Sequence, residues 1–295
     1  MKRWIFIGGV CLALLGSASA FAASPRVLVS ILPIHSLVAG VMEGIGSPEL
    51  LVRGGASPHA TSLRPSDAKV LSRAKLVFWV GEGLETFLIK PIRGLAKNAL
   101  VIKLLSAPGV SVAKSAGGHD HGDPHIWLST PNARAIIDAA VGALIKIDSK
   151  NTARYHANAE KLQARLSRLH AELDQKLAPV RKVPYVVFHD AYDAFEREFK
   201  LRSLGAVTIN PDRKPGVRKL SRLRHEIAQH KARCVFAEPQ FRPALIKTLI
   251  AGTNARMGTL DPMGADLTPG PNAYFKLMRR MAAALSTCLA NSTSP

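Results

Sequence analysis

The feature that most constrains the fold of this chain is an alternation of short β-rich runs with amphipathic segments, which occurs in two series. The first series predicts strands at 27–31, 50–52, 76–80 and 100–104, with helices at 36–42, 65–74 and 84–90. The second series predicts strands at 185–188, 206–209, 234–237 and 257–260, with helices at 191–199, 217–229, 244–250 and 274–285. Strands that alternate with helices indicate βα units and parallel sheets. We therefore predict an α/β protein with two Rossmann-like lobes.

The stretch between the two series predicts a long connecting helix. Residues 131–177 are rich in Ala, Leu, Lys and Arg, and residues 150–177 contain neither Gly nor Pro. A helix over 150–177 would be about 42 Å long. It would be rigid, because helices bend little where no Pro or Gly interrupts the hydrogen-bond ladder. We expect an N-terminal lobe at 23–148, a linking helix at 149–178 and a C-terminal lobe at 179–295.

The first residues have the pattern of a secretory signal peptide. Lys2 and Arg3 precede an apolar run at 4–15, and small residues with Ala-x-Ala patterns follow, ending at Ala20 and Ala22. The apolar run is too short to be a permanent membrane anchor. We predict that residues 1–22 are cleaved and that the mature chain is exported from the cytoplasm.

Export limits the partners of the chain and sets the state of its cysteines. The net charge of +19 would fit a nucleic-acid binder or a protein facing an anionic membrane. Export removes chromosomal DNA from reach, and no basic motif interleaved with aromatic residues is present, so we expect no nucleic-acid partner. The mature chain keeps Cys234 and Cys288. In an oxidising compartment, two cysteines most simply form one disulfide.

Four residues with metal-binding side chains lie in loops or at strand ends. His59 and His125 belong to the first series, and His189 and Asp261 belong to the second. Such strand ends line the ligand crevice of open α/β sheets, so one ion between the lobes is expected to be held by all four. Three imidazoles and a carboxylate suit tetrahedral Zn2+, whereas Mn2+ would require more oxygen ligands. Taken singly, a histidine at such a position is more often an ordinary surface or capping residue.

The motifs around these residues resemble those of the periplasmic zinc-binding proteins of high-affinity zinc ABC transporters, the ZnuA family. They are SPH at 57–59, SLRPSD at 62–67, DPHIWLS at 123–129, FHDAY at 188–192, FAEPQF at 236–241 and LDP at 260–262. The motifs occur in the family's order over nearly the whole mature chain, and the two cysteines fall where the family has its disulfide.

The resemblance implies a function and a set of site residues. It implies a monomeric periplasmic solute-binding protein that captures Zn2+ between two α/β lobes, joined by a long helix, and delivers it to the permease of an ABC importer in the inner membrane. The implied metal ligands are His59, His125 and His189, with Asp261 or water as the fourth. Such a protein is not an enzyme.

The sequence departs from the family pattern in two places. Pro58 precedes His59, where some zinc-binding members have a glutamate. The long His-rich loop of many members is reduced to His119-Asp120-His121, which we interpret as a surface loop, with a weak auxiliary metal site as the alternative.

The remaining polar residues have structural interpretations. Glu238 is expected to be a buried, hydrogen-bonded carboxylate, with a partner of a ligand imidazole as the alternative. His35 and His170 are expected to be solvated.

Two other functions remain open. The nearest is binding of Mn2+ or another divalent ion. A zinc hydrolase would need a metal position open to water and a carboxylate base, for which Glu238 is the candidate, although HExxH is absent.

Overall fold

The computed structural model describes residues 24–53, 55–112, 122–209, 211 and 215–290. The predicted signal segment, residues 1–22, and the pair His119 and His121 lie outside these ranges. Within the described ranges, no helix is both long enough and apolar enough to cross a membrane.

The N-terminal lobe contains a parallel sheet. Its strands are β1 (Val27–Val29), β2 (Glu49–Leu50), β3 (Leu76–Trp79) and β4 (Leu100–Lys103). They are arranged in the order β2-β1-β3-β4. The helices between them are α1 (Leu32–Val41), α2 (Pro65–Arg73) and α3 (Ile89–Leu95). α1 begins earlier than the predicted 36–42, because Pro33 fits the first turn of a helix, where its missing N–H is not needed.

The C-terminal lobe has the same design. Its strands are β5 (Tyr185–His189), β6 (Ser203–Thr208), β7 (Cys234–Ala237) and β8 (Arg256–Thr259), all parallel and in the order β6-β5-β7-β8. Two long helices come before this lobe, α4 (Thr130–Ile147) and α5 (Thr152–Leu177). The remaining helices are α6 (Asp193–Glu198), α7 (Val217–Gln229), α8 (Ala244–Ile250) and α9 (Ala273–Ala290). The predicted α/β class with two parallel-sheet lobes is confirmed.

Both faces of each sheet are covered. In β1, Val27 and Val29 pack in a core that contains residues of both lobes, while Leu28 packs in a separate cluster on the opposite face. The residues of β5 divide between the shared core and a separate cluster in the same way. Strands buried on two faces read as continuous apolar runs, which is why alternation of polar and apolar residues is missing from them.

The long helix α5 connects the two sheets. It has 26 residues, and its buried leucines recur every three or four positions, which forms one apolar stripe. They are Leu162, Leu166, Leu169, Leu173 and Leu177. The stripe belongs to the shared core, so α5 is held along most of its length. We keep the predicted boundaries, 23–148, 149–178 and 179–295, as a proposal.

Trp127 joins the two lobes directly. Its indole N–H donates to the carbonyl of Pro262 at 2.8 Å. Its own carbonyl accepts a hydrogen bond from the Tyr274 hydroxyl at 2.9 Å. Through α9, Tyr274 also reaches the N-terminal lobe, where its backbone N–H donates to Ser36 Oγ at 2.9 Å. These groups are buried, and hydrogen bonds away from water hold their geometry well.

His35 corrects an expectation from the sequence. It was expected to be solvated, but it is only 3% exposed, and its Nε2 lies 3.0 Å from the Pro48 carbonyl. Burial lowers the pKa of this imidazole. The prediction was wrong because α1 is buried on every side, which its short apolar sequence does not reveal.

The expected disulfide is present and joins Cys234 on β7 to Cys288 on α9. Replacing both cysteines with alanine is expected to lower the free energy of unfolding by about 4 kcal/mol, because the closed loop spans 54 residues. Urea unfolding of the mature chain measures the change, and reduced wild-type protein is the control that should match the double variant. Equal stability of the oxidised wild type and the double variant would contradict this prediction.

Candidate metal centre

The predicted site residues lie at the carboxyl ends of the parallel strands. His189 is the last residue of β5, and His59 lies in the loop that follows β2. His125 comes after β4, just before a single 3-10 turn at Ile126–Leu128 that leads into α4. Because parallel strands end at one edge of a sheet, side chains from different loops meet there. The two carboxyl edges face each other across the contact between the lobes.

Three imidazoles converge at this point. His125 Nε2 lies 3.2 Å from His189 Nε2 and 3.4 Å from His59 Nε2. One ring nitrogen from each of the three histidines lies within 4.8 Å of the other two. The structure therefore brings His59 and His125 of the N-terminal lobe against His189 of the C-terminal lobe.

Two carboxylates orient the two buried rings. Asp123 Oδ1 lies 2.7 Å from His125 Nδ1 and also accepts the backbone N–H of His125 at 3.0 Å. Glu238 Oε1 lies 2.6 Å from His189 Nδ1. A carboxylate acceptor at this distance places the proton of a neutral imidazole on Nδ1. Nε2 of each ring is then the unprotonated nitrogen, and it points toward the other rings.

Two of the separations between Nε2 atoms are those of ligands on one small ion. Tetrahedral Zn2+ with Zn–N bonds of about 2.0–2.1 Å places two ligand nitrogens about 3.3 Å apart. The two shortest separations in the cluster, 3.2 and 3.4 Å, match this value. Nitrogen lone pairs that face one another without a proton or a cation between them repel. The arrangement is thus suited to a cation.

Tyr192 fixes the carboxylate that orients His189. Its hydroxyl donates to Glu238 Oε1 at 3.0 Å. Complete burial, followed by the neighbouring charge of Glu238, raises the pKa of Tyr192 well above its ordinary value. Tyr192 therefore remains a hydrogen-bond donor at any physiological pH, and Glu238 receives two donors on one oxygen. Glu238 is 4% exposed.

Solvent reaches the cluster from the side of His59. His125 and His189 are 2% and 3% exposed, whereas His59 is half-buried. The His59 loop is shaped locally by the Ser57 hydroxyl, which accepts the His59 backbone N–H at 3.3 Å. A cavity of about 400 Å³ lies beside this loop and is lined by both lobes, at 52, 53, 55, 56 and 263–269.

Asp261 is not part of the histidine group. Its Oδ1 accepts the side-chain amide of Gln240 and the backbone N–H groups of Met263 and Gly264. Its Oδ2 accepts the backbone N–H of Ala265 at 2.6 Å, which is the one bond to this atom among the described residues. A carboxylate oxygen has two acceptor positions, so Oδ2 retains capacity for a ligand. As a metal ligand, Asp261 stays a prediction.

The sequence interpretation missed part of the site. Glu238 is the buried, hydrogen-bonded carboxylate that was expected, and its partner is a ring of the cluster, as the alternative had it. The roles of Asp123 and Tyr192 were not anticipated. The sequence did contain a signal for Asp123, which lies two residues before His125. An aspartate at that spacing can accept the backbone N–H of the residue two positions later, as in an Asx turn. The contact between Glu238 and His189 spans 49 residues, and no local pattern indicates it.

Comparison with known proteins gives the same family over nearly the whole chain. The model of the family described as "Zinc-uptake complex component A periplasmic" matches residues 27–288. A high-affinity zinc uptake system protein ZnuA from Brucella abortus is 37% identical, and the match covers 96% of each chain.

Solved structures agree with this result. The crystal structure of a ZnuA deletion mutant with zinc bound has a TM-score of 0.80 and 26% sequence identity, and covers 92% of this chain and 100% of the other. The periplasmic zinc-binding protein TroA from Treponema pallidum, at 21% identity, shares the fold with a TM-score of 0.82, and covers 91% of this chain and 100% of its own. With its two parallel-sheet lobes, its long linking helix and its three converging histidines, this chain belongs to the ZnuA family of periplasmic zinc-uptake components.

Proposed function

We propose that this chain captures Zn2+ between its two lobes and delivers the ion to the membrane permease of an ABC-type zinc importer. The observation that carries the proposal is the convergence of three imidazole nitrogens within 4.8 Å of one another, with two of the Nε2 pairs at the spacing of tetrahedral zinc ligands. Family membership supports the transport role. Zn2+ is the cargo of this site and not a resident cofactor.

The proposed ligands are Nε2 of His59, His125 and His189. Asp261 is proposed as the fourth, through Oδ2, and water is the alternative. Zn2+ is proposed over Mn2+ because the clustered donors are nitrogens, while Mn2+ favours carboxylate and carbonyl oxygens. Asp123 and Glu238 would orient the rings and raise their basicity, as carboxylates beside metal-bound histidines do.

The proposal includes a location and a division of roles. We propose a monomer that acts in the periplasm after residues 1–22 are removed and that contacts the inner membrane through the permease. It binds no nucleic acid. His119 and His121 stay a predicted surface loop, with an auxiliary metal site as the alternative.

A hydrolase is the weaker candidate. A zinc hydrolase needs a carboxylate base directed at a metal-bound water. Glu238 instead accepts hydrogen bonds from His189 Nδ1 and the Tyr192 hydroxyl, which supports an orienting role. We therefore propose that the chain is not an enzyme.

Substitution of a ligand tests the proposed site. His189→Ala is expected to weaken Zn2+ binding at least 100-fold, because one of three imidazole donors is lost. His225→Ala, on the exposed face of α7, is the control and should leave the affinity unchanged. Competition with a zinc chelator measures both variants. Equal affinities of the two variants would show that the ligand assignment is wrong.

Acid is expected to release the ion. Only the unprotonated imidazole nitrogen binds a metal, so protons compete with Zn2+ as the pH falls. Isothermal titration at neutral pH and at acid pH should show weaker binding at the acid value. An affinity that does not change with pH would count against a site made of three histidines.

Removal of an orienting carboxylate tests the second layer of the site. Glu238→Ala is expected to lower the Zn2+ affinity by about 10- to 100-fold, because His189 loses the acceptor that directs its ring. Glu85→Gln is the control, since Glu85 is a buried carboxyl of the N-terminal lobe that accepts the Gly81 N–H at 2.9 Å. Chelator competition is the measurement, and similar affinities for both variants would contradict the role of Glu238.

A further inference from the structure

One carboxylate outside the metal centre joins its own helix to two other parts of the chain. Glu198, at the end of α6, accepts the backbone N–H of Thr130 at 2.8 Å through Oε2. Its Oε1 accepts the Thr130 hydroxyl and lies 2.8 Å from His170 Nδ1. Thr130 is the first residue of α4, and His170 lies on α5. We call these three side chains the Glu198 clasp.

The clasp lies next to the segments that carry the proposed ligands. Thr130 follows His125 after the single 3-10 turn at Ile126–Leu128. Glu198 ends the short helix α6, which follows His189 at the end of β5. The clasp therefore joins the segment that positions His125 in one lobe to the segment that positions His189 in the other. Through His170 it also fastens both segments to the linking helix.

The hydrogen bonds of the clasp satisfy groups that would otherwise lack partners. The first N–H groups of a helix have no acceptor within the helix. At the start of α4, Ser129 Oγ accepts the Asn132 N–H within the same lobe, whereas the Thr130 N–H is satisfied by a residue from the opposite lobe. The negative charge of Glu198 also suits the positive end of the helix dipole. The Glu198 side chain is only 8% exposed. Loss of its carboxylate would therefore leave the Thr130 N–H and hydroxyl without this acceptor.

The surroundings limit how the clasp can move. The His170 ring lies 5.5 Å from the ring of Phe199, centroid to centroid. Phe199 is fully buried in the shared core. Although the His170 side chain is 44% exposed, its Nδ1 faces Glu198 and Thr130. His170 was expected to be a solvated residue, and it is instead a partly exposed member of a network between the lobes.

We propose that Glu198 is a positioning residue of the metal centre, which holds His125 and His189 at ligand spacing by clasping the two lobes to the linking helix. This inference rests on the proposed function. When the ligands of a site already have the right geometry before binding, no binding free energy is lost in ordering them, and the affinity is higher. Without the clasp, the two lobes can vary their separation, and the ion must restore it.

A conservative substitution with a matched control tests the inference. Glu198→Gln keeps the size of the side chain but replaces one acceptor oxygen with an NH2 group that faces donors. Glu196→Gln changes the same helix in the same way. The carboxyl of Glu196 is buried and accepts a hydrogen bond from the Tyr185 hydroxyl at 3.0 Å within the C-terminal lobe. Burial raises the pKa of Glu196 to about 7, so the glutamine amide closely resembles its protonated carboxyl.

The expected result is a change in metal binding that stability alone does not explain. Glu198→Gln should weaken Zn2+ binding about tenfold in chelator competition, a loss of about 1.4 kcal/mol, and should broaden the visible absorption of bound Co2+. Glu196→Gln should leave both unchanged. Thr130→Val, which removes only the hydroxyl donor, should shift both readings in the same direction by less. Urea unfolding of all three variants measures how much each substitution lowers the free energy of unfolding.

A measurement without metal separates this inference from the proposed function. Nitroxide labels at the exposed positions Lys97 and Lys247 report the distance between the lobes in the metal-free protein. The distance distribution should broaden in Glu198→Gln and not in Glu196→Gln. An unchanged distribution together with an unchanged Zn2+ affinity would overturn the role of Glu198, even if the variant is less stable. A wild-type chain that fails to bind Zn2+ would overturn the proposed function instead.

Discussion

The structure depends on holding three ring nitrogens close together with their lone pairs turned inward. Asp123 and Glu238 accept hydrogen bonds from the Nδ1–H groups of the two buried rings, which leaves Nε2 of each ring as an unprotonated acceptor. Facing acceptors repel, so the arrangement is unfavourable unless a cation lies between them. Hydrogen bonds from the rings to Asp123 and Glu238 hold the rings in place against this repulsion.

The fold supplies this arrangement because each lobe offers only part of it. The strands of a parallel sheet end at one edge. His189 at the end of β5, and the segments that follow β2 and β4, therefore bring the histidines together from two opposed edges. The lobes are then held together by α5, by the bond from Trp127 to Pro262 and by the Glu198 clasp. A site divided between two lobes is sensitive to their separation, which is why contacts remote from the ion can affect its affinity.

Much of the fold could be predicted from the sequence, and the errors have physical causes. The bounds of β7, α7 and α8 agree with the predicted ranges, because Gly, Pro and charged residues punctuate those segments. α1 and His35 were misjudged, because a short helix buried on all sides has no polar face to mark its period. The histidines were found from their strand-end positions and from family motifs. The contacts of Glu198 were not anticipated, and the contact of Glu238 with a ligand imidazole was only an alternative, since these contacts arise between segments that are far apart in the chain.

The sequence by itself determined the two α/β series, the long helix without Gly or Pro and the residue types available for a metal. These follow from local propensity and periodicity, which act over a few neighbouring residues. Only the tertiary structure decided which nitrogens face each other, which carboxylate orients which ring, and that Asp261 is turned toward the backbone N–H groups of its own loop. Those outcomes depend on how buried groups from distant segments satisfy one another's hydrogen bonds, and local sequence carries no record of that choice.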